Sequence, residues 1–228
     1  PYKLRMLSKR AKEVSPSATL QITANAKRMV KEGKDVVAFG AGEPDFDTRD
    51  LIKEAAIKAI QTGFTKYTPT SGIPELKEAI CKKLQTENKL SYSPSNIIVS
   101  CGAKHSIYNV TQVLIDEGQE VLIPVPFWVS YPEMVKLAGG KPVLVNTTLN
   151  EDFKVTPEIL EKYLTKKTKL LILNSPSNPC GVVYRKEELK ALADFCVKHN
   201  IYCLSDEIYE KIIFDGIEHV SIASFSDA

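Results

Sequence analysis

Three stretches of this chain, beginning near residues 121, 170 and 201, are apolar on consecutive residues over about the length of a strand. Alternating apolar residues suit a sheet with one wet face, whereas continuous runs suit strands covered on both faces by helices. Six segments carry a strand pattern: 36–40, 96–100, 120–124, 142–146, 170–174 and 201–205. Helical stripes lie between them. Ile52, Ala55, Ala56, Ala59 and Ile60 share one helical face, as do Leu76, Ile80 and Leu84, and Leu189, Leu192, Ala193 and Cys196. Thr156-Pro157-Glu158 predicts a helix start, with Thr156 as cap and Pro157 at the first helical position. This alternation predicts an α/β domain with a mainly parallel sheet, right-handed crossovers and a functional site at the carboxyl ends of the strands.

Composition narrows the function. A chain of 228 residues is long enough for one large core and part of a second domain. Thirty basic against 28 acidic side chains leave a formal charge of +2, too balanced to point to nucleic acid or an anionic membrane. The apolar stretch 121–129 is short and broken by Pro124 and Pro126, which argues against a membrane span. The first residues, starting at Pro1, carry no secretory-signal pattern. Cys81, Cys101, Cys180, Cys196 and Cys203 are odd in number and lack C-x-x-C spacing, so neither a disulfide framework nor a zinc site is indicated. His105, His199 and His219 lack ligand spacing too. A cytoplasmic location is the expectation. No G-x-G-x-x-G follows any strand pattern, which disfavours a nicotinamide-binding domain. The basic helical stretch up to about Lys34 reads as a docking arm.

Several residues carry chemistry. In Ser205-Asp206-Glu207-Ile208-Tyr209, Asp206 leaves an apolar run. A carboxylate there is expensive to bury without a cation or several donors. A helix-capping Asp would also fit. Tyr209 follows by three residues, and a turn after the strand would bring its phenol to the same side; a half-buried core tyrosine is the other reading. Asn178, in Asn174-Ser-Pro-Ser-Asn178-Pro-Cys-Gly181, carries an amide on a proline-stiffened loop or marks an ordinary Asn-Pro turn. In Ser100-Cys101-Gly102-Ala103-Lys104, small residues open a helix whose apolar face includes Ile107, Val110 and Leu114. The amides of Gly102, Ala103 and Lys104 are therefore candidate donors to a phosphate. Trp128, the single tryptophan, could stack on a flat ring or fill a core. Gly42 lacks a β-carbon, which permits a close approach of backbone to a neighbour.

Five blocks stand in order along the chain: 37–47 (Val-Ala-Phe-Gly-Ala-Gly-Glu-Pro-Asp-Phe-Asp), 66–76 (Lys-Tyr-Thr-Pro-Thr-Ser-Gly-Ile-Pro-Glu-Leu), 127–133 (Phe-Trp-Val-Ser-Tyr-Pro-Glu), 174–181 and 205–209. Together they resemble the class I aspartate aminotransferase family of fold-type I pyridoxal-phosphate enzymes, specifically its bacterial aspartate/prephenate branch, over essentially the whole chain. The resemblance implies a three-layer α/β/α large domain over 46–228 with a mainly parallel sheet. Residues 1–45 would form an arm and part of a small domain. It implies pyridoxal 5′-phosphate as cofactor and transfer of an amino group from aspartate or glutamate to a 2-oxo acid such as 2-oxoglutarate, oxaloacetate or prephenate.

The roles it implies are specific. Asp206 would hold the ring nitrogen, Tyr209 and Asn178 the ring oxygen, and Trp128 the ring face. Asn178, Trp128 and Gly42 would meet the substrate. Lys104 would contact its distal carboxylate, unless it is simply a surface lysine, and Thr19 accompanies that lysine in members that use prephenate. Tyr67 resembles a tyrosine that reaches the phosphate of a neighbouring subunit, which implies a homodimer. Cys180 stands where the family usually has threonine. The family's Schiff-base lysine and a later arginine belong to blocks expected beyond Ala228, so this chain by itself is expected to hold no catalytic lysine, to be inactive and to be a fragment of a longer enzyme. A carbon–sulfur lyase or synthase of the same fold, or a non-catalytic regulator domain, would share the cofactor residues.

Overall fold

The structure is a computed structural model that describes residues 7–40 and 42–225. Ala41 of the first block, and the ends of the chain on which expectations about Pro1 and Ala228 rest, lie outside the described residues. Along the chain come helices α1 (Lys9–Glu13), α2 (Ala18–Lys31), α3 (Asp50–Gln61), α4 (Pro74–Glu87) and α5 (Ala103–Leu114). Strand β1 (Glu120–Val125), helix α6 (Ser130–Leu137), strand β2 (Lys141–Asn146), helix α7 (Pro157–Glu161), strand β3 (Thr168–Asn174), helix α8 (Lys186–His199) and strand β4 (Tyr202–Asp206) follow. The chain divides into two compact units, one of residues Pro16–Ile73 and one of the remainder.

The larger unit is built on a parallel sheet in the order β2-β1-β3-β4. Alternate residues of the continuous apolar runs go to opposite faces. Leu122, Leu171 and Leu173 join Leu160 of α7 and Leu189, Leu192, Phe195 and Cys196 of α8 in one core. Val121, Ile123, Leu170 and Ile172 join Ile107 of α5 and Tyr131, Met134 and Val135 of α6 in the other. Leu122, Leu171 and Leu192 are fully buried, and each such side chain contributes roughly 1.5–3 kcal/mol by leaving water. Two buried faces are what the unbroken apolar runs required, so the α/β/α layering follows from them. The chain runs from β1 outward to β2, then returns to the other side of β1 for β3 and continues to β4. The connection reverses between β1 and β3, and α6 and α8 accordingly cover opposite faces. Such a reversal opens a crevice at the carboxyl ends of the strands.

Local signals act as expected in α7 and α8. Thr156 caps α7 by accepting a hydrogen bond from the Ile159 amide (3.4 Å), with Pro157 first in the helix. The α8 stripe is buried, and Asn200 closes that helix in the left-handed conformation at φ 53°. Two of the six strand patterns are not strands. Residues 36–40 and 97–100 are irregular, and Asn96 ends a 3-10 turn (Pro94–Asn96) whose side chain accepts from the Ser93 amide at 3.0 Å. An extended segment becomes a strand only with a ladder partner, and the described residues offer these two none. Pro142 is tolerated because β2 lies at the sheet edge.

The Pro16–Ile73 unit contains α2 and α3. Ser17 caps α2 by accepting from the Leu20 amide at 3.3 Å. Helix α3 forms where its stripe predicts it, yet Ile52 and Ile60 remain 58% and 69% exposed. Periodicity sets the helix but does not supply its cover.

Candidate cofactor and substrate site

The larger unit has a cleft of about 320 Å³ lined by Gly102, Ala103, Lys104, Trp128, Tyr131, Asn174, Asn178, Asp206, Ile208 and Tyr209. Seven sequence candidates, from four separate stretches of chain, meet there: Gly102, Ala103, Lys104, Trp128, Asn178, Asp206 and Tyr209. Thr19, Gly42 and Tyr67 are not among its lining residues and belong to the Pro16–Ile73 unit. Within that unit the Thr19 carbonyl accepts from Thr23 Oγ1 at 2.9 Å, Gly42 has open space where a β-carbon would stand, and Tyr67 is wholly exposed.

Asp206 closes β4 and is 8% exposed. Its Oδ2 accepts from the Tyr131 hydroxyl at 2.7 Å and its Oδ1 from the Ile208 amide at 3.2 Å. Both donors are neutral, and Asp206 forms no ion pair among the described residues. Burial above all, and then the hydrogen bond to Asp206, pushes the Tyr131 hydroxyl far above the ordinary tyrosine value, so it stays a donor. A buried carboxylate with only neutral partners leaves room in its electrostatics for a cation. After Asp206 the chain turns, with the Glu210 amide donating to the Glu207 carbonyl at 3.0 Å, and this brings Tyr209 to the cleft. Glu207 is engaged elsewhere: it accepts from Ser205 and Ser221 (2.7 Å each) and pairs with His219 Nε2 (2.9 Å).

The opposite wall is the N-terminus of α5. Gly102 caps it at φ 86°, a conformation that favours glycine, and a β-carbon there would meet nothing within 4 Å. Its own amide donates to the Ser100 carbonyl at 2.8 Å. The amides of Ala103 and Lys104 have no acceptor among the described residues, and the positive end of the helix dipole adds to them. Lys104 is exposed, with Nζ 4.9 Å from the centroid of the Trp128 ring. Trp128 in turn meets Tyr131 edge to face, centroids 5.4 Å apart at 84°.

Asn174 and Tyr131 are site residues that sequence reasoning passed over. The Asn174 side chain donates to the Asp206 carbonyl at 2.9 Å and accepts from the Asn178 amide at 2.7 Å, tying the loop after β3 to the end of β4. The Asn178 side-chain amide makes no hydrogen bond among the described residues. Both missed residues sat inside blocks quoted for their neighbours, and Tyr131 stands one helical turn after Trp128. That spacing was the available signal.

Comparison with known proteins gives the family and the fold. The family model described as aminotransferase class I and II matches residues 34–228. The aspartate aminotransferase of Geobacillus stearothermophilus is 54% identical over 220 residues, which are 96% of this chain and 56% of that protein. The probable aspartate/prephenate aminotransferase of Aquifex aeolicus is 50% identical over 221 residues, 97% of this chain and 56% of that protein. Among solved structures, the aspartate aminotransferase from Thermus thermophilus with maleate aligns at a TM-score of 0.93 and 47% identity, covering 96% of this chain and 57% of the other. The chain thus spans little more than half the length of these relatives.

Proposed function

The chain belongs to the class I and II aminotransferases, and on that basis we propose that it is part of an enzyme that moves an amino group between an amino acid and a 2-oxo acid with pyridoxal 5′-phosphate. The observation that carries this reading is the buried Asp206 carboxylate, held only by neutral donors at the edge of a cleft that also presents an indole face and two free helix-end amides. The residues fit the cofactor's chemistry. Asp206 would hold the protonated ring nitrogen, Trp128 would lie against the ring face, and Tyr209 and the Asn178 amide would donate to the ring oxygen. The phosphate would sit at the start of α5, on the Ala103 and Lys104 amides beside Gly102. When bound, the cofactor supplies an electron sink for the pair released at the substrate α-carbon.

The chain's own residues orient and select. Asp206 keeps the ring charged and fixes its tilt. Asn178 has an unengaged amide for the substrate α-carboxylate as well as for the ring. Lys104 offers a cation to a second carboxylate, which suits aspartate or glutamate as donor and oxaloacetate, 2-oxoglutarate or prephenate as acceptor. Gly42 and Thr19 would complete substrate contact. Tyr67 would reach the phosphate of a second subunit, giving a homodimer of a cytoplasmic enzyme whose partners are small molecules. The names of the relatives, aspartate and aspartate/prephenate aminotransferase, support this choice of substrates.

The test uses the full-length protein. Uptake of pyridoxal 5′-phosphate with a visible absorption band, and turnover of aspartate with 2-oxoglutarate, are the expected results. A colourless protein without turnover would overturn the reading; turnover of aspartate but not of prephenate would remove only that acceptor.

A further inference from the structure

A second cavity lies at the amino end of the sheet, away from the cofactor cleft. It encloses about 770 Å³, and its lining includes Lys166, Lys167, Lys169 and His199 together with Thr168 and Ile201. Thr168 opens β3 and Ile201 directly precedes β4. The seven residues of β3 set it roughly 20 Å from the cleft at the other end. Its volume falls within the range of about 300–1,000 Å³ common for small-molecule sites. No aspartate or glutamate is among its lining residues.

The lysines stand on fixed backbone. The Thr168 amide donates to the Thr165 carbonyl at 3.1 Å, and the Thr165 amide to the Thr168 hydroxyl at 3.0 Å. The Lys167 amide donates to the Thr165 hydroxyl oxygen at 3.0 Å, and the Lys167 carbonyl accepts from the Glu120 amide at 2.8 Å. The turn that carries Lys166 and Lys167 is therefore bonded to itself and to the start of β1. Lys169 follows at an irregularity in the ladder. Thr168 pairs with Glu120 and Leu170 with Val121, so Lys169 has no partner in β1, and pairing with β4 begins only at Leu170. An extra residue of this kind re-aims its side chain.

The charge of these lysines is not answered within the chain. None of the three ammonium groups forms an ion pair among the described residues; that of Lys169 lies 5.2 Å from the centroid of the Tyr202 ring. The neighbouring carboxylates are already matched. Glu120 is held by Lys141 and the Thr165 hydroxyl, and Glu161 by Lys198 at 2.8 Å and His199 Nε2 at 2.9 Å. Lys167 adds only a through-space attraction to Glu120. Three unmatched cations lining one cavity repel each other, and an anion between them would relieve that repulsion. Lysine is a point charge that serves phosphate well, and three of them call for several negative charges in one ligand.

We propose that this cavity binds a small anion carrying a chain of phosphates, either inorganic triphosphate or the triphosphate of a nucleotide, with Lys166, Lys167 and Lys169 as its cationic partners. The site shares no residue with the cofactor cleft and does not rest on the function given to it.

The experiment is isothermal titration calorimetry of the full-length protein, saturated with pyridoxal 5′-phosphate so that the phosphate end of the cleft is filled. Sodium triphosphate and ATP are titrated separately, without magnesium. Saturable binding is the expected result. Comparable affinity for the two assigns the site to the phosphate chain itself, and tighter binding of ATP assigns it to a nucleotide; either supports the proposal. A variant carrying Lys166→Gln, Lys167→Gln and Lys169→Gln should bind about tenfold more weakly or worse, the combined effect of three exposed ion pairs. A control carrying Lys82→Gln, Lys186→Gln and Lys190→Gln removes the same charge from exposed positions elsewhere in the larger unit and should bind as the natural protein does.

Absence of saturable binding overturns the proposal. So does an equal loss in the control, which would mark a diffuse attraction to surface lysines. Should the triple variant fail to fold, Lys166→Gln alone decides, since its side chain is exposed and its loss should still weaken binding while the control does not. A protein that takes up no pyridoxal 5′-phosphate would overturn the functional reading, and the triphosphate titrations would still decide this one.

Discussion

Two carboxylates are buried at opposite ends of the same sheet, and they are treated differently. Glu120 begins β1 and is 6% exposed; it accepts from the Thr165 hydroxyl at 2.6 Å and pairs with the Lys141 ammonium at 3.0 Å. Asp206 ends β4 at 8% exposure and has a phenol and an amide but no cation. At the amino end the charge is answered from within the chain, so it serves the fold. At the carboxyl end it is hydrogen-bonded but not neutralised, so it remains free to attract something that is not protein. The distinction lies in the partners' charge, since burial is nearly equal.

Exchanging the charge at the carboxyl end should give the largest effect. Asp206→Asn keeps an acceptor for Tyr131 and nearly the same shape. In the full-length enzyme kcat/KM for aspartate should fall about 10²–10³-fold, the magnitude of losing one preorganised electrostatic partner. The cofactor-free protein should change in stability by only about 1 kcal/mol, because a buried charge without a cation contributes little to folding. Steady-state kinetics beside denaturant unfolding of the cofactor-free form checks both halves. A large loss of stability with unchanged kinetics would show the comparison to be wrong.

The counterpart at the amino end should reverse the pattern. Glu120→Ala removes the acceptor of two donors and should destabilise by about 1.5–3 kcal/mol, while kinetics at the distant cleft stay the same. The acid dependence sharpens this. The Thr165 hydroxyl first, and then Lys141, hold the Glu120 carboxyl below its ordinary value of 4.5. A carboxyl depressed in the folded state stabilises above its unfolded pKa, and that contribution is lost as the pH falls through the folded value. Natural protein and Glu120→Ala should therefore differ most near neutral pH and converge below about pH 4.5, as read from unfolding midpoints against pH.

The smallest effect belongs to the lysine of that pair. Lys141 is 67% exposed at its side chain, so Lys141→Met should cost less than about 1 kcal/mol and the difference should vanish in high salt. A salt-insensitive loss would mean that the ammonium is held more tightly than its exposure indicates.

The unequal legibility of these features has a physical basis. Strands β1 and β3 were readable because burial on both faces writes itself into consecutive residues, and β4 because its apolar run is continuous although the strand is only partly buried. The start of α7 was readable because Thr156 and Pro157 act within one turn. Segments 36–40 and 97–100 misled because an extended pattern does not say whether a neighbouring strand exists. The α3 stripe indicated a helix but could not indicate whether anything covers Ile52 and Ile60. In the site, Asp206, Asn178, Tyr209 and Trp128 stood out because chemically loaded residues sit in short ordered blocks. The bond from Tyr131 to Asp206 and the pairing of Glu120 with Thr165 were out of reach, for each joins residues at least 45 positions apart through the packing of the sheet.

Asn174 has a consequence of its own. One side-chain amide grips the backbone of Asp206 with its nitrogen and the backbone of Asn178 with its oxygen, so the separation of the end of β4 from the loop after β3 is set by a single carboxamide and its two hydrogen bonds. Lengthening that side chain by one carbon, as glutamine would, should push both jaws apart together, and shortening it should let them drift independently. The spacing of these two segments is therefore gauged by one residue that reaches both.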